Sequence, residues 1–162
     1  TVSPASPLPS LDDDAGVTIK GGGSVSTIRG FNAGTGANGL DIQSDNNIIQ
    51  GLTITNFNGN GIQVWLSSNN LIGTDGDGVD DALEQNIIIN NNEAGIFLMG
   101  GVNHVAGNLI GTNVEGTSAF PNAQGIIIEG AMDCGTVIST DGDGSGDAAE
   151  GNLISGNTYS GI

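Results

Sequence analysis

A short motif, glycine followed by alternating apolar residues, recurs along this chain and limits what it can fold into. It reads "GVTI" at Gly16–Ile19, "GLDI" at Gly39–Ile42, "GIQV" at Gly61–Val64, "GIFL" at Gly95–Leu98 and "GIII" at Gly125–Ile128, and it restarts at Gly161–Ile162. The glycines are 23, 22, 34, 30 and 36 residues apart, which describes a unit of about 22 residues with insertions of 12, 8 and 14. A second phase runs through Ile28, Ile49, Leu71 and Val105, and a third through Ile54, Ile88, Ile110 and Ile154. Each unit thus holds three short apolar segments separated by Gly, Asn and Ser turns. Their period-two alternation is that of strands, and no segment sustains a helical period.

Three short strands per 22-residue unit predict an all-β fold, a right-handed parallel β-helix in which each coil stacks on the last at ~4.8 Å. One coil cannot bury its own apolar face, so stacking must supply the core. Ile42, Val64, Leu98 and Ile128 are the expected inward stack. Asn tolerates the left-handed geometry of bends and its side chain satisfies turn amides. Ser26, Asn47, Asn69 and Asn103 are therefore expected to form a polar ladder at one bend. An antiparallel sandwich would not explain a constant unit interrupted by whole insertions. The domain organisation predicted is an extended, Pro-containing segment over 1–14 and a single β-helix over 15–162.

Charge is concentrated in two places. Lys20 and Arg29 are the only cations against 18 acids, for a net charge of -16. Such a chain is repelled by nucleic acid and anionic membranes and attracts divalent cations. No apolar run is long enough to insert in a membrane. Nine of the acids lie in "GTDGDGVDDALEQN" (Gly73–Asn86) and "TDGDGSGDAAEGN" (Thr140–Asn152), 66 residues apart. Asp75, Asp77, Asp80, Asp81 and Glu84 in the first, and Asp141, Asp143, Asp147 and Glu150 in the second, are the candidate metal ligands. Calcium takes six to eight oxygens, and Asp-x-Asp spacing with Gly between gives the tight curvature that aims carboxylates at one ion. A solvated acidic loop is the alternative, but carboxylates this close repel one another without a counter-ion. Both loops follow the second strand of their coil, so they should leave one corner two coils apart. The insertion at Asn113–Pro121 should leave another corner, and its single acid, Glu115, argues against a metal site there.

Other reactive residues are few. His104 follows Asn103, at the position expected to match Asn70, and reads as a bend residue. Cys134 is alone, so there is no disulfide framework. Trp65 and Phe97 follow inward positions and should face outward, as a contact surface or a sugar-stacking platform.

The runs "NNLIGTDGDG", "NHVAGNLIGTNVEGTSAFPNAQGIIIEG" and "EGNLISGNTYSGI" resemble the right-handed β-helix repeat proteins of bacterial and archaeal surfaces, within the pectate-lyase-like superfold of carbohydrate-binding proteins and sugar hydrolases. The first acidic loop also resembles thrombospondin type 3 calcium repeats, through Asp-x-Asp-Gly-Val-x-Asp. The resemblance implies the fold and an extracellular setting, whereas function within the superfold ranges from lyases to inert stalks. Lyase-type elimination would need a basic residue near the acids, and Lys20 and Arg29 are both expected in the first coil, far from the acidic loops. The expectation therefore leans away from catalysis, toward a calcium-stabilised structural or adhesive protein at the cell surface. It would either be part of a longer chain or assemble head-to-tail with itself through open strand edges. A carbohydrate-binding or carbohydrate-active module, with a polysaccharide partner, is the alternative.

Overall fold

The computed structural model describes residues 1–21, 26–130 and 135–162. Cys134 lies outside the described residues. The chain forms a parallel β-solenoid of about four turns. One sheet contains β1 (Thr18–Lys20), β4 (Ile48–Gln50), β7 (Leu71–Gly73), β10 (His104–Ala106) and β13 (Val137–Ile138). The second contains β2 (Ser26–Arg29), β5 (Leu52–Thr55), β8 (Ile87–Ile89), β11 (Leu109–Ile110) and β14 (Leu153–Ile154). The third contains β3 (Leu40–Ile42), β6 (Ile62–Trp65), β9 (Ala94–Met99) and β12 (Gln124–Glu129). Pairing is parallel throughout these sheets.

The core is a set of aliphatic columns. Ile49, Ile72 and Val105 stack in the first sheet, Ile54, Ile88 and Ile110 in the second, and Ile42, Val64 and Leu98 in the third, all buried. Branched aliphatics suit this interior because their stiff side chains pack on a pleated surface. Ile128 continues the third column in register but is half exposed. The backbone pairing outside β12 comes from Ser160 and Gly161, and it reaches only the first half of that strand.

The strand phases differ from expectation in three places. Ile19 pairs with Ile49, so "GVTI" belongs to the first sheet and not with "GLDI". Ile28 pairs with Ile54 in the second sheet. The inward residue of β7 is Ile72, one beyond Leu71. The local signal, Gly or Asn followed by alternating aliphatics, is the same at every corner, so an interval alone does not say which corner a segment occupies.

The polar ladder is shifted likewise. Asn47, Asn70 and Asn103 form it, while Asn69 adopts a left-handed φ of 57° beside it and Ser26 sits in the second sheet. Asn70 Oδ1 accepts from both Asn47 N (2.9 Å) and Asn47 Nδ2 (2.8 Å), and Asn103 Oδ1 does the same for Asn70 (3.1 and 2.9 Å). Two further ladders, Asn86–Asn108–Asn152 and Asn91–Asn122–Asn157, occupy the other corners. Buried carboxamides cost free energy unless paired, and one per corner per coil pairs them along the axis.

The segment over 1–14 is extended and lies along the chain's own first coil. Val2 N donates to Thr27 O at 2.7 Å, and Leu11 N to Asp41 O at 2.8 Å.

Candidate metal centre

Both acidic insertions leave the corner between the first and second sheets, after β7 and after β13. Tight turns occupy the same corner in the coil before the first loop, at Gly51, and in the coil between the two loops, at Gly107. The insertion at Asn113–Pro121 leaves after β11, at the next corner, and closes on itself: Asn113 Oδ1 accepts from Thr117 N (2.8 Å) and Ser118 N (2.9 Å).

The two acidic loops follow one backbone course. In the first, Asp75 Oδ1 accepts from Asp77 N at 3.3 Å, Asp77 Oδ1 from Val79 N at 2.7 Å, and Asp81 Oδ1 from Gly78 N at 3.2 Å. In the second, Asp141 Oδ1 accepts from Asp143 N at 2.9 Å, Asp143 Oδ1 from Ser145 N at 2.6 Å, and Asp147 Oδ1 from Gly144 N at 3.2 Å. Each ends in one helical turn, α1 (Asp81–Glu84) and α2 (Asp147–Glu150). Each helix follows a left-handed residue, Asp80 (φ 63°) or Gly146 (φ 62°). Each closing glutamate is buried and bonds back to the loop's start: Asp75 N to Glu84 Oε2 at 3.2 Å, Asp141 N to Glu150 Oε2 at 2.9 Å.

Carboxylate oxygens converge in both loops. One oxygen each from Asp75, Asp77 and Asp81, and one each from Asp141, Asp147 and Glu150, lie within 4.8 Å of one another. Two oxygens bound to one calcium at ~2.3–2.6 Å can be no further apart than about 5.2 Å, so both sets fit that ion's reach. The convergence leaves out three expected ligands: Asp80, Glu84 and Asp143. Asp80 serves as the left-handed residue before α1, a place that Gly146 fills in the second loop. Glu84 is held elsewhere, by Lys20 Nζ at 2.7 Å and Thr74 Oγ1 at 3.2 Å.

This Lys20–Glu84 ion pair separates the two loops chemically. The first loop reaches back two coils to Lys20, the residue after Ile19, so Lys20 touches an acidic loop and does not lie far from both as expected. Two coils behind the second loop, the residue after Ile72 is Gly73. Gly73 has φ 109°, and a Cβ there would collide with Ala106 O, so no lysine can stand in that place. Glu150 packs instead against Gly76 of the first loop, where a Cβ would strike its Oε1. The loops are therefore in direct contact, and each helix end caps the tight turn beneath it: Gly51 N donates to Glu84 O at 2.8 Å, and Gly107 N to Glu150 O at 2.6 Å. Gln50, on the strand between those of Lys20 and Gly73, is buried, and its Nε2 has no hydrogen-bond partner among the described residues.

Burial alone would push the Glu84 carboxyl up, but hydrogen bonds from Lys20, Asp75 N and Thr74 outweigh it and hold the group below its usual range. The hydrogen bond to Glu84 raises the Lys20 ammonium, with the charges of Glu84, Asp75 and Asp80 adding to it. Burial raises Asp75, and the neighbouring Glu84 and Asp77 carboxylates add to that. The pair's contribution is full between the ordinary Glu and Lys values. It is lost as pH falls through the depressed Glu84 value, or rises through the elevated Lys20 value. Lys20→Met is expected to lower the melting temperature at neutral pH and low salt, with the deficit shrinking in high salt. Equal melts of wild type and variant at low salt would show that the pair contributes nothing.

His104 is the first residue of β10 and stacks on Leu71 and Val137. It is a strand residue, and Asn103 takes the position matching Asn70. Its Nε2 lies 2.9 Å from Ser139 O. Trp65 and Phe97 face outward from β6 and β9 with ring centroids 6.5 Å apart and planes 20° apart. No protein-family model, curated protein or solved structure matches this chain.

Proposed function

We propose that this chain is a structural β-solenoid of the cell exterior, with the acidic corner stiffened by calcium. The observation that carries the reading is the repeated loop: two insertions with one backbone course, each converging three carboxylate oxygens to within 4.8 Å at the same corner. The resemblance to right-handed β-helix surface repeats and to thrombospondin type 3 loops points the same way. Equilibrium dialysis against calcium tests it. Two ions per chain are expected, with Asp81→Asn abolishing one and Asp147→Asn the other. Uptake that neither substitution reduces would refute the assignment.

A second reading is carbohydrate binding, and the outward Trp65–Phe97 stack favours it. Aromatic faces of this kind combine apolar area with polar neighbours. Here Gln63 stands in register with Phe97, and its Nε2 donates to Asp41 Oδ1 at 3.1 Å.

A further inference from the structure

A trough of about 340 Å³ crosses the outer face of the first sheet beside the acidic corner. Its floor is the column Leu71, His104 and Val137, one residue from each of three successive coils. Asp75 and Asp141 stand at its loop side, and Val102 lines it as well. Those two aspartates hold equivalent places in loops two coils apart, so they are separated along the axis by ~10 Å, twice the inter-strand spacing.

The geometry points to a linear polyamine as the occupant, with its terminal ammonium groups at Asp75 and Asp141 and its methylenes on Leu71 and Val137. Three features select this chemistry. No Lys or Arg lines the trough, and the chain's net charge is -16, so a cation is drawn in and an anion kept out. The floor is largely apolar, which holds an alkyl chain. The middle of the floor carries an acceptor. Ser139 O can only accept, so His104 Nε2 carries the hydrogen of the neutral ring, and Nδ1 is left to accept from an inner amine.

The site shares Asp75 and Asp141 with the two candidate calcium sets, so spermidine and calcium would compete for them, and the chelator in the test keeps the two readings apart. Isothermal titration of the whole chain with spermidine, in chelator and at low salt, tests it directly. Saturable binding of one spermidine per chain is expected, weakened about fivefold by Asp75→Asn and by Asp141→Asn alike. Asp13→Asn, which removes an equal charge away from the trough, should leave the affinity unchanged, and methylammonium should bind far more weakly. Equal weakening by Asp13→Asn would reduce the effect to general attraction by an acidic surface. Equal binding of methylammonium would remove the apolar floor from the account. Absence of saturable heat would overturn the proposal outright.

Discussion

Removing calcium is expected to lower the melting temperature by about 10–20 °C. A ligand at a hundred times its dissociation constant stabilises the native state by about 2.7 kcal/mol per site, so two sites give about 5 kcal/mol. At this chain length each kcal/mol moves the midpoint by about 2–4 °C. A bound calcium would relieve a cost carried by Asp75, whose carboxyl is pushed up first by burial and further by the Glu84 and Asp77 carboxylates. A carboxyl that holds its proton more tightly when folded makes stability fall as pH rises through its titration, so ionised Asp75 is a net cost at neutral pH in the absence of metal. Asp75→Asn should therefore raise the melting temperature in chelator and lower it in calcium. That reversal of sign separates a cation cage from a solvated acidic loop, in which the substitution acts in one direction under both conditions. A melting temperature indifferent to calcium would end the calcium account.

Replacing Asn108 by Asp is expected to cost about 3–5 kcal/mol, the scale of an unpaired buried charge, or about 6–20 °C. Asn108 is fully buried in the second ladder. Its Nδ2 donates to Ile72 O at 2.8 Å, Ala106 O at 3.0 Å and Asn152 Oδ1 at 3.0 Å, and its Oδ1 accepts from Asn86 Nδ2 at 3.0 Å. A carboxylate there would turn three donated bonds into oxygen facing oxygen. Its proton would be held far more tightly in the folded state, so the loss should shrink as pH falls toward the acid range, a recovery that a mere packing defect would not show. Circular dichroism melts across pH read both effects. A variant as stable as wild type would show that the ladders fill space without holding the coils.

The solenoid was legible because its defining signal is redundant. Every coil repeats short alternating aliphatic runs between Gly and Asn turns, and stacking is the arrangement that buries them all. What the sequence left ambiguous was which corner a segment occupies. "GVTI" and "GLDI" are alike as text, yet Ile19 and Ile42 belong to different sheets. The same ambiguity moved the ladder from Asn70 to Asn69, and one residue decides whether a side chain faces the core or a bend. The acidic corner was placed correctly because whole insertions preserve the coil register. Its inner chemistry was harder to read. Asp80 adopts the left-handed place before α1, and Glu84 turns to Lys20 through a contact 64 residues apart in sequence. The equivalence of Asp80 to Gly146 in the two loops was the signal for the first of these.

The Lys20–Glu84 pair also bears on how the chain finds its native threading. Successive coils offer each other the same asparagine rungs and the same aliphatic columns, so a chain slipped by one whole coil would satisfy nearly every local preference. Such degeneracy is the characteristic hazard of repeat folding. Lys20 breaks it. It meets Glu84 only when β4 lies between β1 and β7, and the place two coils behind the second loop is held by a glycine that cannot be replaced. A single ammonium group thus acts as an address label, distinguishing one stacking order from its near-copies.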